Sequence, residues 1–281
     1  MPGKTPNKVK YGLKNVHYAL LTLDESGVAT FGTPVAIPGA VNLTMDAQGE
    51  PSTFYADNMA YYVTAANDGY SGTLEVALIP DSFRTDVLNE TLEETAQILT
   101  ENVDNRTTPF ALLFEFDGDQ KATRHVLYNC TATRPSVTGA TTTNTKEPTT
   151  ESMTLTAAPL SNGNIKARTT VNTPDANYSA WYDEVWQPLG KLTVTSAAGS
   201  SSGTTKLTVS PALTSGNSYK TKTGASVTLP AYGAVVGSDW EDWDGSEDVT
   251  ATNGQQIAVV EVDAEDKARA GGLAEVTASG G

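Results

Sequence analysis

Apolar residues recur at every second position through much of this chain, most clearly across residues 109–135. The first arm of that segment, PFALLFEFDGDQ, sets Leu112, Phe114 and Phe116 on one side. The return arm, KATRHVLYNCTATRP, sets Arg124, Val126, Tyr128 and Cys130 on one side, three of the four suited to a core. A period of two places alternate residues on opposite faces of a sheet. Asp117-Gly118 between two such runs is a strong signal for a tight reversal. The spacing predicts a central hairpin that turns at residues 117–120.

The same pattern predicts a strand over 14–23, apolar on both sides and therefore covered on both faces. A short return strand follows over 28–35, then another at 41–45 with Val41, Leu43 and Met45 on one face. Residues 54–79 read as a second large hairpin broken at Asn67-Asp68-Gly69. Tyr61, Val63 and Ala65 alternate before the break and Leu74, Val76 and Leu78 after it, giving one greasy face and one small, polar face. A short helix opens after Pro80, with Asp81 or Ser82 as N-cap and Phe83 and Val87 on its inner side. Further on, the pattern predicts a short strand near 96–100, a threonine-rich exposed loop over 136–148, a strand over 151–158, and an amphipathic helix over 177–189 carrying Trp181, Val185 and Trp186. The alternation at 151–158 leaves open which side faces the core.

Beyond Gly190 the composition shifts towards Ser, Thr and Gly, and strands are predicted at 192–194, 206–209, 226–229, 256–262 and 273–277. The run SAAGSSSGTT at 196–205 reads as a linker or a loop tip. The expected fold is mainly β, in two domains: 1–189, and a small Ig-like β-sandwich over 190–281.

The chain of 281 residues carries a formal charge of −15, which argues against a surface that grips nucleic acid. No apolar run approaches the roughly 20 residues that span a bilayer. The start, MPGKTPNKVKYG, is basic without an apolar segment, so it reads as a mobile arm and not as a secretory signal. The lone cysteine, Cys130, excludes an intrachain disulfide and reads as a core thiol.

Candidate chemistry is sparse. The run Asp239-Trp240-Glu241-Asp242-Trp243-Asp244-Gly245-Ser246-Glu247-Asp248 concentrates carboxylates, but its spacing fails the calcium-loop register, and a solvated acidic loop is the simpler account. Trp240, Trp243 and Asp244 in it are candidate surface-binding residues, for a carbohydrate partner. His17 and His125 lie on predicted strands with no nucleophile or third member of a triad in view. No phosphate-binding glycine motif is found. No catalytic, cofactor-binding or metal site is expected, and the chain reads as a non-enzyme.

Several stretches, in order, resemble the major tail protein of bacteriophages with long, non-contractile tails: VKYGLKNVHYAL at 9–20, IPGAVNLTMDAQGE at 37–50, FYADN at 54–58, NDGYSGTLEVALIPDSFRTDVL at 67–88, the central hairpin at 109–136, and TLTAAP at 154–159. The resemblance implies a tail-tube-type β-sandwich or barrel in the virion tail, assembled in a host cytoplasm. It implies self-assembly into stacked rings, typically hexameric, with a tape-measure protein and with tail terminator and tail-tip proteins. DNA would pass through without specific binding, and no membrane is involved. The 54–79 ribbon would line the lumen, with Asp57, Asp68 and Glu75 as lumen acids and the C-terminal domain on the outer surface. The arm 1–10 and the loop 136–150 would join successive rings. The alternative is a cell-surface or carbohydrate-binding β-sandwich module, a role that the C-terminal domain alone can also fill.

Overall fold

Strand pairing, with very little helix, organises the computed structural model, which describes residues 5–24, 27–139, 141 and 148–280. The chain separates into two units, Met1–Val185 and Trp186–Gly281. In the first, the elements are β1 (Lys10–Leu23), β2 (Ala29–Phe31), β3 (Val35–Ala36), β4 (Ala40–Gln48), β5 (Pro51–Ala56), β6 (Met59–Ala65), β7 (Gly69–Val76), α1 (Asp81–Asp86), β8 (Thr91–Glu93), β9 (Ile98–Thr100), β10 (Phe110–Gly118), β11 (Thr123–Ala132), β12 (Glu151–Ala158), β13 (Lys166–Arg168) and α2 (Asp175–Ser179). Nine strands form one sheet in the order β2-β1-β10-β11-β12-β7-β4, with β3 added to β1 and β13 to β11. β4 comes back beside β1, so the sheet rolls around one core.

That core draws Tyr18 from β1, Leu112 from β10, Leu127 and Cys130 from β11, Leu155 from β12 and Leu74 from β7. α1 drives Phe83 into it, edge-on to Tyr18 at 5.1 Å and to Phe110 at 5.5 Å. Such T-shaped ring pairs add roughly 0.5–1.5 kcal/mol to the burial of their area. Phe83 and Val87 are both fully buried, as their spacing predicts, but the residue that caps the helix is Pro80 and no side chain caps it.

The central hairpin differs from simple alternation in one respect. Phe110 pairs with Cys130, but Leu112 pairs with Leu127, so Ala111 stands opposite two residues of β11. This bulge moves Cys130 onto the core face with Leu127, while Val126 lies opposite Leu113 on the other face. Arg124, Val126, Tyr128 and Cys130 therefore do not share a side. The turn lies beyond Gly118, and Asn7 holds it: its Oδ1 accepts from the Gln120 and Lys121 amides at 3.0 Å each, and its Nδ2 donates to the Lys121 carbonyl at 2.6 Å. The predicted mobile arm is thus pinned at Asn7, and its residues 1–4 lie outside the described residues.

Residues 54–79 do not form a hairpin turning at 67–69. β4 runs on into β5, and β6 runs on into β7, as one long hairpin from residue 40 to residue 76. It reverses at Asp57-Asn58, whose φ angles are 51° and 58°. Two successive left-handed residues are what a tight hairpin turn needs, and Asp and Asn tolerate that region. Asn67-Asp68 lies instead at a waist where the lower half of the hairpin meets the upper. There the Asp68 amide donates to the Gln48 carbonyl at 3.0 Å. Gly49, with φ 137°, lets the strands approach: a Cβ on it would sit 2.0 Å from the Ala66 carbonyl oxygen.

Other elements fall close to their predicted places. β1 is buried on both sides, at Val16, Tyr18, Ala19 and Leu21. Met153, Leu155 and Ala157 all face inward from β12. The predicted helix over 177–189 is shorter and earlier: α2 followed by one tight turn at Ala180–Tyr182, with Trp181 and Val185 buried. Most of the loop at 136–148 lies outside the described residues.

In the second unit, β14 (Gly190–Lys191), β15 (Thr193–Ala198), β16 (Thr204–Ser210), β17 (Ser218–Gly224), β18 (Glu241–Trp243), β19 (Val249–Thr250), β20 (Gln256–Val262) and β21 (Ala268–Glu275) form two sheets, β14-β21-β20-β17-β18 and β15-β16-β19. Leu192, Val194 and Leu207 meet Tyr219, Ile257 and Val259 between the sheets. The serine-rich run at 196–205 is the tip of the β15–β16 hairpin, not a linker. β17, whose sequence SYKTKTG alternates polar residues, has no apolar signature and escapes prediction, while the predicted strand at 226–229 is irregular.

Burial pushes the Cys130 thiol up to about 12. At pH 8, Ellman's reagent should therefore label it only as the first unit unfolds; labelling of native protein at the rate seen in denaturant would contradict this packing.

Candidate functional surfaces

β5 and β6 form a two-stranded sheet of their own beyond the waist of the long hairpin. Phe54 and Tyr62 face each other across it, and both stand exposed, as do Tyr55, Met59, Tyr61 and Val63. Tyr61 retains 71% of its surface. The predicted division into a greasy and a small, polar face is not found on β5 and β6, where aromatic residues occupy both sides, but holds on β7, where Leu74 and Val76 are buried and Thr73 is exposed. An isolated two-stranded ribbon is marginal in water, and a contiguous apolar patch with open strand edges marks a site of association.

The three acids predicted for this ribbon are spread along it. Asp57 is in the tip turn, Asp68 is exposed at the waist, and Glu75 lies within β7, where its carboxylate accepts from the Thr150 hydroxyl at 2.5 Å. They form no common site.

The acidic run of the second unit is likewise dispersed. Trp243 is only 8% exposed, packs on Tyr219 with ring centroids 5.6 Å apart, and donates its indole N–H to the Glu247 carbonyl at 2.8 Å. This ring is a core anchor and is not available as a surface-binding platform. Trp240 is half-buried against the small cluster around Val236 and Val260, with Lys222 over its ring. Asp244 closes its own loop: Oδ1 accepts from the Ser246 and Glu247 amides at 2.8 and 2.9 Å, which holds its carboxyl below the usual carboxylate range. Asp239 pairs with Lys222 at 2.5 Å and Asp242 with Lys220 at 2.8 Å. Among the described residues no group of three His, Cys, Asp or Glu side chains is placed to hold a metal ion. A shallow polar groove of about 720 Å³ lies elsewhere in this unit, lined by residues such as Thr223, Asn253 and Gln255.

Two polar features of the first unit carry little sequence signal. Glu115, 3% exposed, accepts from Arg124 Nε and Asn15 Nδ2 at 2.9 Å each, with Lys14 Nζ at 3.6 Å. Arg124 in turn lies over the rings of Tyr178 and Tyr182. Burial, and then the Glu115 carboxylate, raise the Tyr182 hydroxyl far above its ordinary value. The only hint is a glutamate between Phe114 and Phe116 in an apolar strand. His125, on the core face, stacks on Phe114 with centroids 5.1 Å apart and planes within 1°. Burial, then Arg168, Lys166 and Lys10, hold its imidazole down to about 4.

Residues 197–279 match the family described as the S-layer protein SbsC C-terminal domain. Among solved structures, the crystal structure of domains 7, 8 and 9 of the S-layer protein SbsC aligns over 97% of this chain and 72% of its own, at 13% identity and a TM-score of 0.31. No curated protein matches the chain. The family match lies with a surface-layer protein and overturns the resemblance to a phage tail protein. The tape-measure, terminator and tail-tip partners, the DNA conduit and the virion location fall with it. What the match shows is a likeness of residues 197–279, within the second unit, to a domain of a surface-layer protein.

Two measurements check the local packing. Trp243→Ala should cost the second unit about 3–5 kcal/mol in chemical denaturation, whereas Trp240→Ala, at a half-buried ring, should cost clearly less. For His125, the folded imidazole stays neutral where the unfolded one takes a proton, so stability is lost as pH falls from about 6.5 to about 4. The loss amounts to up to about 3 kcal/mol, and His125→Phe should remove that share of the acid limb relative to the wild-type chain.

Proposed function

We propose that this chain is a structural β module of a cell-surface layer, which associates with further copies of itself and performs no catalysis. The observation that carries the proposal is the match of residues 197–279 to a surface-layer domain. The exposed aromatic ribbon β5–β6 supports it, because a contiguous exposed apolar patch marks a site of association with another surface. A ribbon edge with unpaired N–H and C=O groups offers backbone pairing to a neighbour, and its rings supply contact area. The charge of −15 fits the same role, since mutual repulsion keeps free subunits apart until contacts of short range take over. Stacking of sugars on Trp243 forms no part of this role, because its ring is committed to the core.

The test is a concentration series of the full chain, followed by light scattering and negative-stain microscopy. Extended assemblies should appear as concentration rises, and antibodies against the chain should label intact cells. Phe54→Asp with Tyr62→Asp should raise the concentration needed for assembly at least tenfold while leaving the circular dichroism spectrum unchanged. A chain that stays monomeric at high concentration and does not label cells would sink the proposal.

A further inference from the structure

We propose that the mouth of the rolled sheet in the first unit binds a small organic anion with an aromatic or short alkyl body. A cavity of about 260 Å³ opens there, walled by Leu43 and Met45 of β4, Phe114 and Phe116 of β10 and Leu127 of β11. At about 30 Å³ per water, that volume holds roughly nine waters, or one or two rings and a headgroup. Apolar walls with a few polar groups at the mouth of a β-barrel are the usual form of a small-molecule site.

The charge at the mouth selects the sign of the ligand. Lys10 stands with its Nζ 4.7 Å from the Phe116 ring centre, and Lys166 with its Nζ 4.3 Å from that of Tyr70, whose hydroxyl it also contacts. Arg168 lies on the same short strand as Lys166. Among the described residues none of these three cations has an ion-pair partner, although the chain as a whole is strongly acidic. Positive charge around low-dielectric walls focuses its field on the opening. His125 borders the cavity, makes no ring-nitrogen hydrogen bond among the described residues, and has Phe114 stacked on its face and Phe116 on its edge. Its depressed basicity comes first from burial and then from the same field, with Arg168 and Lys166 contributing from β13 and Lys10 from β1. An anion seated between the lysines reverses that field, and the imidazole then donates to it. A free metal cation is disfavoured by the same three charges. The site is independent of the surface-layer role.

The probe is 1-naphthalenesulfonate, with neutral 1-naphthalenemethanol as comparator, titrated into the full chain and followed by NMR at the two histidines, His17 and His125. The sulfonate should bind one to one, raise the His125 pKa by a unit or more and leave His17 unmoved. Lys10→Ala with Lys166→Ala should weaken it at least tenfold, and Leu43→Trp should block it by filling the cavity. If Leu43→Trp fails to fold, the lysine pair decides alone, since both side chains are at the surface. Equal affinity for the neutral comparator, an unchanged His125, or undiminished binding by the lysine variant would each overturn the proposal; binding to the aromatic ribbon gives the second of these outcomes.

Discussion

Burial of β10 on both faces is the constraint from which most of the first unit follows. Every side chain from Phe110 to Glu115 is withdrawn from water, so one layer of cover cannot suffice. The rolled core takes Phe110, Leu112 and Phe114, while Ala111 and Leu113 need a second cover. The chain after β12 contributes to it by returning along β11. β13 pairs with β11 there, and the Trp181 indole reaches the His125 carbonyl at 3.4 Å. The same constraint explains why Glu115 is so heavily partnered. A carboxylate withdrawn from water is tolerated only with charge and hydrogen bonds around it, and removing one partner of such a pair costs about 3–5 kcal/mol. Arg124, Asn15 and Lys14 meet that need. Arg124 also ties the Tyr178–Tyr182 stretch to the sheet, so one buried charge positions α2 and the turn that follows it.

Much of this architecture was legible in the chain because strands declare themselves by alternation. The central hairpin, the inner face of α1 and the doubly covered β1 all follow from the period of apolar residues. What escaped has a physical reason in each case. The bulge at Ala111 shifts the alternation of β11 by one residue, and no residue type marks it. Asn67-Asp68-Gly69 carries the stronger turn signal, through Asp-Gly, than Asp57-Asn58, and only the pairing of β4 with β7 shows that the chain reverses at the weaker one. β17 lacks an apolar stripe because Tyr219 and Thr221 are the side chains it buries. The candidate site residues were least legible of all. Trp243 and Trp240 stand three apart among acids in a segment that looks exposed, and burial of the first depends on Tyr219, a residue distant in sequence.

The overturned family resemblance has a related lesson. Its quoted segments fall on β1, β4, β5, β7, α1, β10, β11 and β12, mostly strands, where alternating apolar residues and Asp- or Gly-bearing turns are demanded by any antiparallel sheet. Such segments specify strands well and function poorly. The surface-layer match lies in the second unit, where the sequence is low in aromatic residues and rich in Ser, Thr and Gly.

The continuity of β4 with β5 and of β6 with β7 has a mechanical consequence. A pull on the tip of this long hairpin travels along its strands into β7, which is laced to β12 from Tyr70–Ala157 to Val76–Glu151. The tension runs parallel to the strands and perpendicular to their hydrogen bonds, so the whole ladder resists at once instead of unzipping one rung at a time. The exposed arm is thereby anchored as a tensile fitting: load applied at its far end is borne by the ladder between β7 and β12.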